Sequence, residues 1–429
     1  MKKDYVMKKY VDISASERKK EYERLLALYG EYKKRGLSLD LSRGKPNADQ
    51  LDISNGLLKI DLSEDYCTDS GFDCRNYGIL DGIPEMKSFF ASVYGIKEED
   101  ITVGGNSSLQ LMHDTLVRAM LFGVCGSPRP WVKEDKIKWI CVVPGYDRHF
   151  KITEVLGFEL LSVKMTADGP DMDTIEELVK DPAVKGIWCV PKYSNPTGNT
   201  YSDETVRRLA SMKCAAPDFR IMWDNAYAVH DFDEHGDNLL DIFAEAEKYG
   251  NKDRIFYYSS TSKVTYPGGG VAFMASSENN RKHTEKYLGA QTIGYDKLNQ
   301  LRHLRYFGHG ENLTEHMLKL GRKIKTKFEI VLAKLAELKD IGIADWTVPN
   351  GGYFISLDCM SGTAKRVFSL VSDAGVTLTA VGATFPYGVD PEDSNLRLAP
   401  TYPTDEDLSL ASDILVLALK MAALEKLGI

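Results

Sequence analysis

A lysine stands where an apolar run gives way to a glycine turn. Ile255-Phe256-Tyr257-Tyr258 leads into Ser260-Thr261-Ser262-Lys263, and Pro267-Gly268-Gly269-Gly270 follows. An amine at the end of a buried strand is poorly solvated, which suits it to condense with an aldehyde. Three other apolar runs end in groups that could serve the same chemistry. Tyr146 follows Val143-Pro144-Gly145, Asn195 lies in Tyr193-Ser194-Asn195-Pro196-Thr197-Gly198, and Asp224-Asn225-Ala226-Tyr227 follows Trp223. Singly, each has a plainer reading: a solvated loop lysine, a packing tyrosine, an Asn-Pro turn, a helix N-cap. Their shared position after apolar runs is what joins them.

The elements that must position these groups read as alternating strands and helices. Strands are expected at 137–143, 186–190, 220–223, 254–258 and 271–275, and helices at 107–122, 173–180 and 203–212, the last capped by Ser202 or Asp203. This alternation predicts an α/β fold with a mostly parallel sheet flanked by helices, whose ligands gather outside the carboxyl ends of the strands. The chain ends read differently. Residues 1–37 are charged and helical in pattern, 39–47 read as a strand and turn, and from 310 onward amphipathic helices alternate with short strands at 353–357 and 396–398. We expect a large domain over 76–309 and a smaller α/β domain built from both ends, 1–75 and 310–429. No internal repeat or low-complexity linker is apparent.

Pyridoxal 5′-phosphate demands a lysine, an anion at its ring nitrogen, donors for its phosphate and an aromatic platform. Lys263, Asp224 and Tyr146 supply the first, second and fourth. Asn195 and Tyr227 could donate to the ring's phenolate oxygen. For the phosphate, Gly104-Gly105-Asn106-Ser107-Ser108 forms a glycine-rich turn opening into a helix, whose free N–H groups and positive end favour a dianion.

Taken in order, Ser194-Asn195-Pro196-Thr197-Gly198, Asp224 with Ala226-Tyr227, Ser262-Lys263 and Asn395-Leu396-Arg397-Leu398 resemble the motifs of the fold-type I pyridoxal phosphate enzymes, specifically the class I aminotransferases. The resemblance runs from about Leu39 to about Pro400. Leu41-Ser42-Arg43-Gly44-Lys45-Pro46-Asn47 and Ser262-Lys263-Val264-Thr265-Tyr266-Pro267-Gly268 look most like a bacterial aspartate aminotransferase subgroup related to the aminotransferase-like domain of MocR-type regulators. The resemblance implies transamination between an amino acid, aspartate first, and a 2-oxo acid, 2-oxoglutarate first. It implies that Arg397 binds the substrate α-carboxylate with Gly44 and Asn195 beside it, and that Lys263 shuttles the proton. Tyr77, in Tyr77-Gly78-Ile79-Leu80-Asp81-Gly82, would reach the phosphate of a neighbouring subunit, which implies a homodimer with shared sites. One stretch departs from the pattern. Where many members carry an arginine for the phosphate, this chain has Gly268-Gly269-Gly270-Val271, so Ser260 and Ser262 are the nearest substitutes. A distal carboxylate needs a second cation, for which Arg43, Lys45, Lys297 and Arg302 are all available.

The whole chain sets bounds. Its 429 residues carry 54 Lys and Arg against 62 Asp and Glu, a net charge of −8 that offers no electrostatic argument for a nucleic-acid partner. No apolar run is long enough for a membrane span, and the polar opening Met1-Lys2-Lys3-Asp4 lacks a signal-peptide core, so we expect a cytoplasmic protein. The 7 cysteines and 8 histidines show no metal-ligand spacing, and the histidines read as ordinary structural residues. Two rivals remain: another fold-type I activity, such as a β-lyase or decarboxylase, and a non-catalytic ligand-sensing module.

Overall fold

The computed structural model describes residues 9–310 and 312–429, without the side chain of His309. Met1-Lys2-Lys3-Asp4, and with it the start of the helical reading over 1–37, lies outside the described residues. The molecule is a mixed α/β fold built on an eight-stranded, mostly parallel sheet. From edge to edge its strands are Ile101–Val103, Ala272–Ser276, Ile255–Ser260, Arg220–Asp224, Val184–Cys189, Lys138–Val143, Glu159–Thr166 and Gly169–Pro170. Ala272–Ser276 runs antiparallel to both its neighbours, and Gly169–Pro170 antiparallel to its one. The four strands from Lys138–Val143 to Ile255–Ser260 are mutually parallel, so their carboxyl ends open on one side.

Their composition follows from burial on both faces. Trp139, Cys141 and Val143 point into one apolar cluster with Trp188, Met222, Phe256 and the helices Ser108–Phe122 and Asp147–Val155. Ile140 and Val142 point into the opposite cluster with Ile187, Ile221, Ile255 and Phe273. Such strands read as continuous apolar runs, which is why the sequence reveals them. Three strands escape that reading. Ile101–Val103 and Gly169–Pro170 are very short, and Glu159–Thr166 lies towards the edge with Ser162 and Lys164 exposed.

Beyond this sheet the chain forms an antiparallel three-stranded sheet, Ala344–Trp346, Ile355–Cys359 and Asn395–Leu398, and a short parallel pair, Leu39–Asp40 with Val376–Thr377. The helix Ala15–Lys34 starts in a capping box of Ser14 and Glu17 and packs on the apolar helix Asp405–Lys426. Tyr29 adds a hydrogen bond from its hydroxyl to Leu370 O at 2.9 Å. Among the described residues no helix is long and apolar enough to cross a membrane.

Candidate active site

Four strand ends deliver side chains to one cavity of about 380 Å³, lined by Tyr146, Asn195, Asp224, Tyr227 and Lys263 together with Arg397 from the three-stranded sheet. Arg43 and Gly44 enter it from the turn after Leu39–Asp40.

Lys263 sits in a turn between two antiparallel neighbours, Ile255–Ser260 and Ala272–Ser276. Thr261 closes the base of that turn: its N–H donates to Val271 O at 2.8 Å, and its hydroxyl accepts from Val271 N–H at 2.9 Å. The glycine at 270 suits a tight approach, since a Cβ there would stand 3.0 Å from Ser262 N. Two histidines brace the turn from outside. His303 has Nδ1 2.8 Å from Asn299 O and Nε2 3.2 and 3.0 Å from the hydroxyls of Thr261 and Thr265. A ring nitrogen facing a carbonyl must donate there, and burial, which pushes the His303 pKa down to about 4, keeps the ring neutral and leaves Nε2 as an acceptor towards the threonine hydroxyls. His316 Nε2 donates to Val264 O at 2.7 Å. The Lys263 Nζ lies 4.7 Å from the Tyr227 ring centre, and burial lowers its pKa while the charge of Asp224 opposes that shift.

Asp224 ends its strand beneath the cavity. Its Oδ2 is 2.9 Å from His149 Nε2, and His149 stacks on Trp188 with ring centres 4.4 Å apart. Its Oδ1 is buried and has no hydrogen-bond partner. Burial raises the phenol pKa of Tyr227 well above its ordinary value and pushes that of Tyr146 up to about 12, so both remain O–H donors.

Arg397 is nearly buried, with its guanidinium 5.1 Å from the centre of the Phe354 ring. Its Nη1 donates to Asp147 Oδ1 at 2.8 Å and to Asn195 Oδ1 at 3.3 Å, while its Nε is buried without a partner. Since Asn195 accepts through its oxygen there, its amide nitrogen is the donor left for the cavity. Gly44 packs so closely on Phe354 that a Cβ would collide with the ring.

The glycine-rich segment lies beside the lysine turn, outside the cavity lining. Backbone bonds of 2.7 Å pair Gly104 and Gly105 with Ala272, which sets Asn106, Ser107 and Ser108 at the amino end of Ser108–Phe122. Ser262 Oγ donates to Asn106 O at 2.9 Å, Ser260 Oγ accepts from Ser262 N–H at 3.3 Å, and the Ser107 hydroxyl makes no capping bond. No lysine or arginine among the described residues hydrogen-bonds to these five side chains. Tyr77 stands apart from the cavity and is 79% exposed. Of the four candidate cations, only Arg43 lines the cavity. Lys45 sits over the Tyr402 ring at 3.7 Å, Lys297 is buried with its amine donating to Gly78 O at 3.0 Å, and Arg302 is not part of the lining.

Asp147, Arg148 and Phe354 also line the cavity and His149 supports it from Asp224, none of them among the expected site residues. Asp147, Arg148 and His149 open the helix Asp147–Val155, which lies outside the expected helices although Pro144-Gly145-Tyr146-Asp147 carries a helix-start signal in its turn and first-turn acid. His149, read as an ordinary structural residue, in fact contacts Asp224 directly. Among the described residues no cluster of His, Cys, Asp and Glu could hold a metal ion.

A family model for aspartate amino-transferase matches residues 13–428. The chain is 46% identical to the aspartate aminotransferase of Corynebacterium glutamicum over 405 residues, which cover 94% of each protein. Its fold matches the crystal structure of an aspartate transaminase from Corynebacterium glutamicum with a TM-score of 0.95 at 45% identity, over 97% of this chain and 99% of that one. At 20% identity the likeness still extends, as fold alone, to an α-aminoadipate aminotransferase from Thermus thermophilus complexed with N-(5′-phosphopyridoxyl)-L-leucine, with a TM-score of 0.73 over 96% of both chains.

Proposed function

Because the chain belongs to the aspartate aminotransferase family, we propose that it moves the amino group of aspartate to a 2-oxo acid, 2-oxoglutarate first, using pyridoxal 5′-phosphate held at Lys263. The observation that carries the cofactor assignment is the buried Oδ1 of Asp224. A buried carboxylate oxygen without a donor is costly, and a protonated ring nitrogen would supply the donor it lacks. The other contacts fit. The Asn195 amide and the Tyr227 hydroxyl would donate to the ring's oxygen, and Tyr146 would flank its face. The phosphate would rest on Asn106, Ser107 and Ser108 at the helix start, with the hydroxyls of Ser260 and Ser262 in place of the usual arginine. When bound, the cofactor supplies an electron sink for negative charge developing at the substrate Cα.

The protein's own groups then do the rest. Arg397 holds the substrate carboxylate, with Asn195 and Gly44 beside it, and so aims the Cα–H bond. Burial favours the neutral amine of Lys263, which takes the proton from Cα and returns it on the other side of the transfer. His149 supports Asp224 from below, keeping its second oxygen directed upward. We place the reaction in the cytoplasm and divide the chain into a cofactor-binding domain over 76–309 and a smaller domain from 1–75 and 310–429. We further propose a homodimer in which the partner subunit's Tyr77 completes the phosphate site, a role that suits a tyrosine so exposed on one chain alone.

The test is direct. Incubated with aspartate and 2-oxoglutarate, the purified protein should form glutamate, and Lys263→Ala should lose both turnover and the visible absorption of the lysine-bound cofactor. Ammonia or carbon dioxide release without glutamate would instead identify a lyase or decarboxylase. Full transamination by Lys263→Ala would overturn the assignment of the lysine.

A further inference from the structure

The arginine assigned to the substrate already holds an anion of the protein's own. Asp147 Oδ1 stands 2.8 Å from Arg397 Nη1, and the same nitrogen reaches Asn195 Oδ1 at 3.3 Å. Phe354 lies 5.1 Å beneath the guanidinium and fixes its plane, while the buried Nε keeps an unmet N–H. Arg148 does little to share the load: its Nε is 3.9 Å from Asp147 Oδ2, and its side chain is largely exposed.

We propose that Asp147 sets how tightly the pocket holds carboxylates, as a resident counter-anion that orients Arg397 through Nη1 and leaves Nε to the ligand. The inference rests on Arg397 being the carboxylate-binding group. An arriving carboxylate meets a guanidinium that is aimed but already partly neutralised, in a nearly buried setting where a second anion is felt strongly. Both halves of an amino-transfer cycle end with a carboxylate product leaving this same arginine. A pocket that bound each product as tightly as a free, buried guanidinium allows would hold them too long, so weakened retention favours turnover. Asp147 is thus a positioning residue that tunes carboxylate affinity, two hundred and fifty positions from its partner in the chain.

A simpler role would be structural, since Asp147 opens the helix Asp147–Val155, where a negative charge favours the amino end. The two roles separate cleanly. Asp147→Asn keeps an acceptor for Nη1 and removes the charge, so it should bind succinate, an unreactive dicarboxylate, about tenfold more tightly by calorimetry on the holoenzyme. KM for aspartate and for 2-oxoglutarate should fall together, and kcat should fall with them as products leave more slowly. Unchanged or weaker succinate binding by Asp147→Asn overturns the inference and leaves the helix-end role. Arg397→Ala in the same titration distinguishes the underlying reading: it should lose succinate binding, and if it binds succinate like the parent, the carboxylate role of Arg397 fails and this inference with it.

Discussion

Gly44 shows how little room Arg397 has. A side chain there would collide with Phe354, and Phe354 underlies the guanidinium of Arg397, so the smallest substitution reaches the proposed carboxylate site through one ring. Gly44→Ala should raise KM for both substrates by roughly tenfold or more, because small displacements of a positioning group are costly. Cofactor affinity, read by absorbance titration, should change far less, since Tyr146, Asp224 and Lys263 enter the cavity from the strand ends of the large sheet. The lysine, the aspartate and the asparagine were legible from their places after apolar runs. Phe354 and Asp147 were not, because their meaning lies in contacts with residues far away in the chain, and neither type is unusual where it stands.

The lysine turn behaves as a braced element. His303 and His316 hold its hydroxyls and carbonyl from outside, and the buried His230 lies between the rings of Tyr227 and Tyr353. Burial lowers all three pKa values, that of His230 to about 3 and that of His303 to about 4. These rings are neutral in the folded protein and take up protons more readily when it unfolds. Their contribution is therefore whole above pH 6.5 and is lost as pH falls through the window from 6.5 towards 4 for His303 and towards 3 for His230. Each histidine should cost about 1.4 kcal/mol of stability per pH unit within its window. Denaturant unfolding at pH 7 and pH 5 should show the loss, and His303→Gln, though less stable throughout, should lose less on acidification. The strands carrying this turn were visible in sequence because both their faces are buried. The brace was not: a histidine on a helix gives no sign of which loop its ring will meet, and the partly exposed strand Glu159–Thr166 hid its period behind its charges.

At the scale of the molecule, the exposed Tyr77 loop and the buried lysine turn belong to one site only if two copies meet. Lys297, by holding Gly78 O, fixes the stretch that carries Tyr77. If sites are shared, a mixture of the separately inactive Tyr77→Ala and Lys263→Ala variants, unfolded and refolded together, should regain about a quarter of the parent activity, because each hybrid dimer holds one intact site. No recovery would mean that each chain is complete alone. The pairing of the chain's two ends has a consequence in time as well. All eight strands of the large sheet lie within 101–276, so the strand ends that carry Asn195, Asp224 and Lys263 are complete while the rest is still being made, and the brace from His303 and His316 follows. Leu39–Asp40 must wait for Val376–Thr377, Ala15–Lys34 must wait for Asp405–Lys426, and Arg397 arrives almost last. A growing chain thus possesses the strand ends that carry Asn195, Asp224 and Lys263 well before it possesses Arg397, and the order in which the cavity is walled is written into the order in which the chain is made.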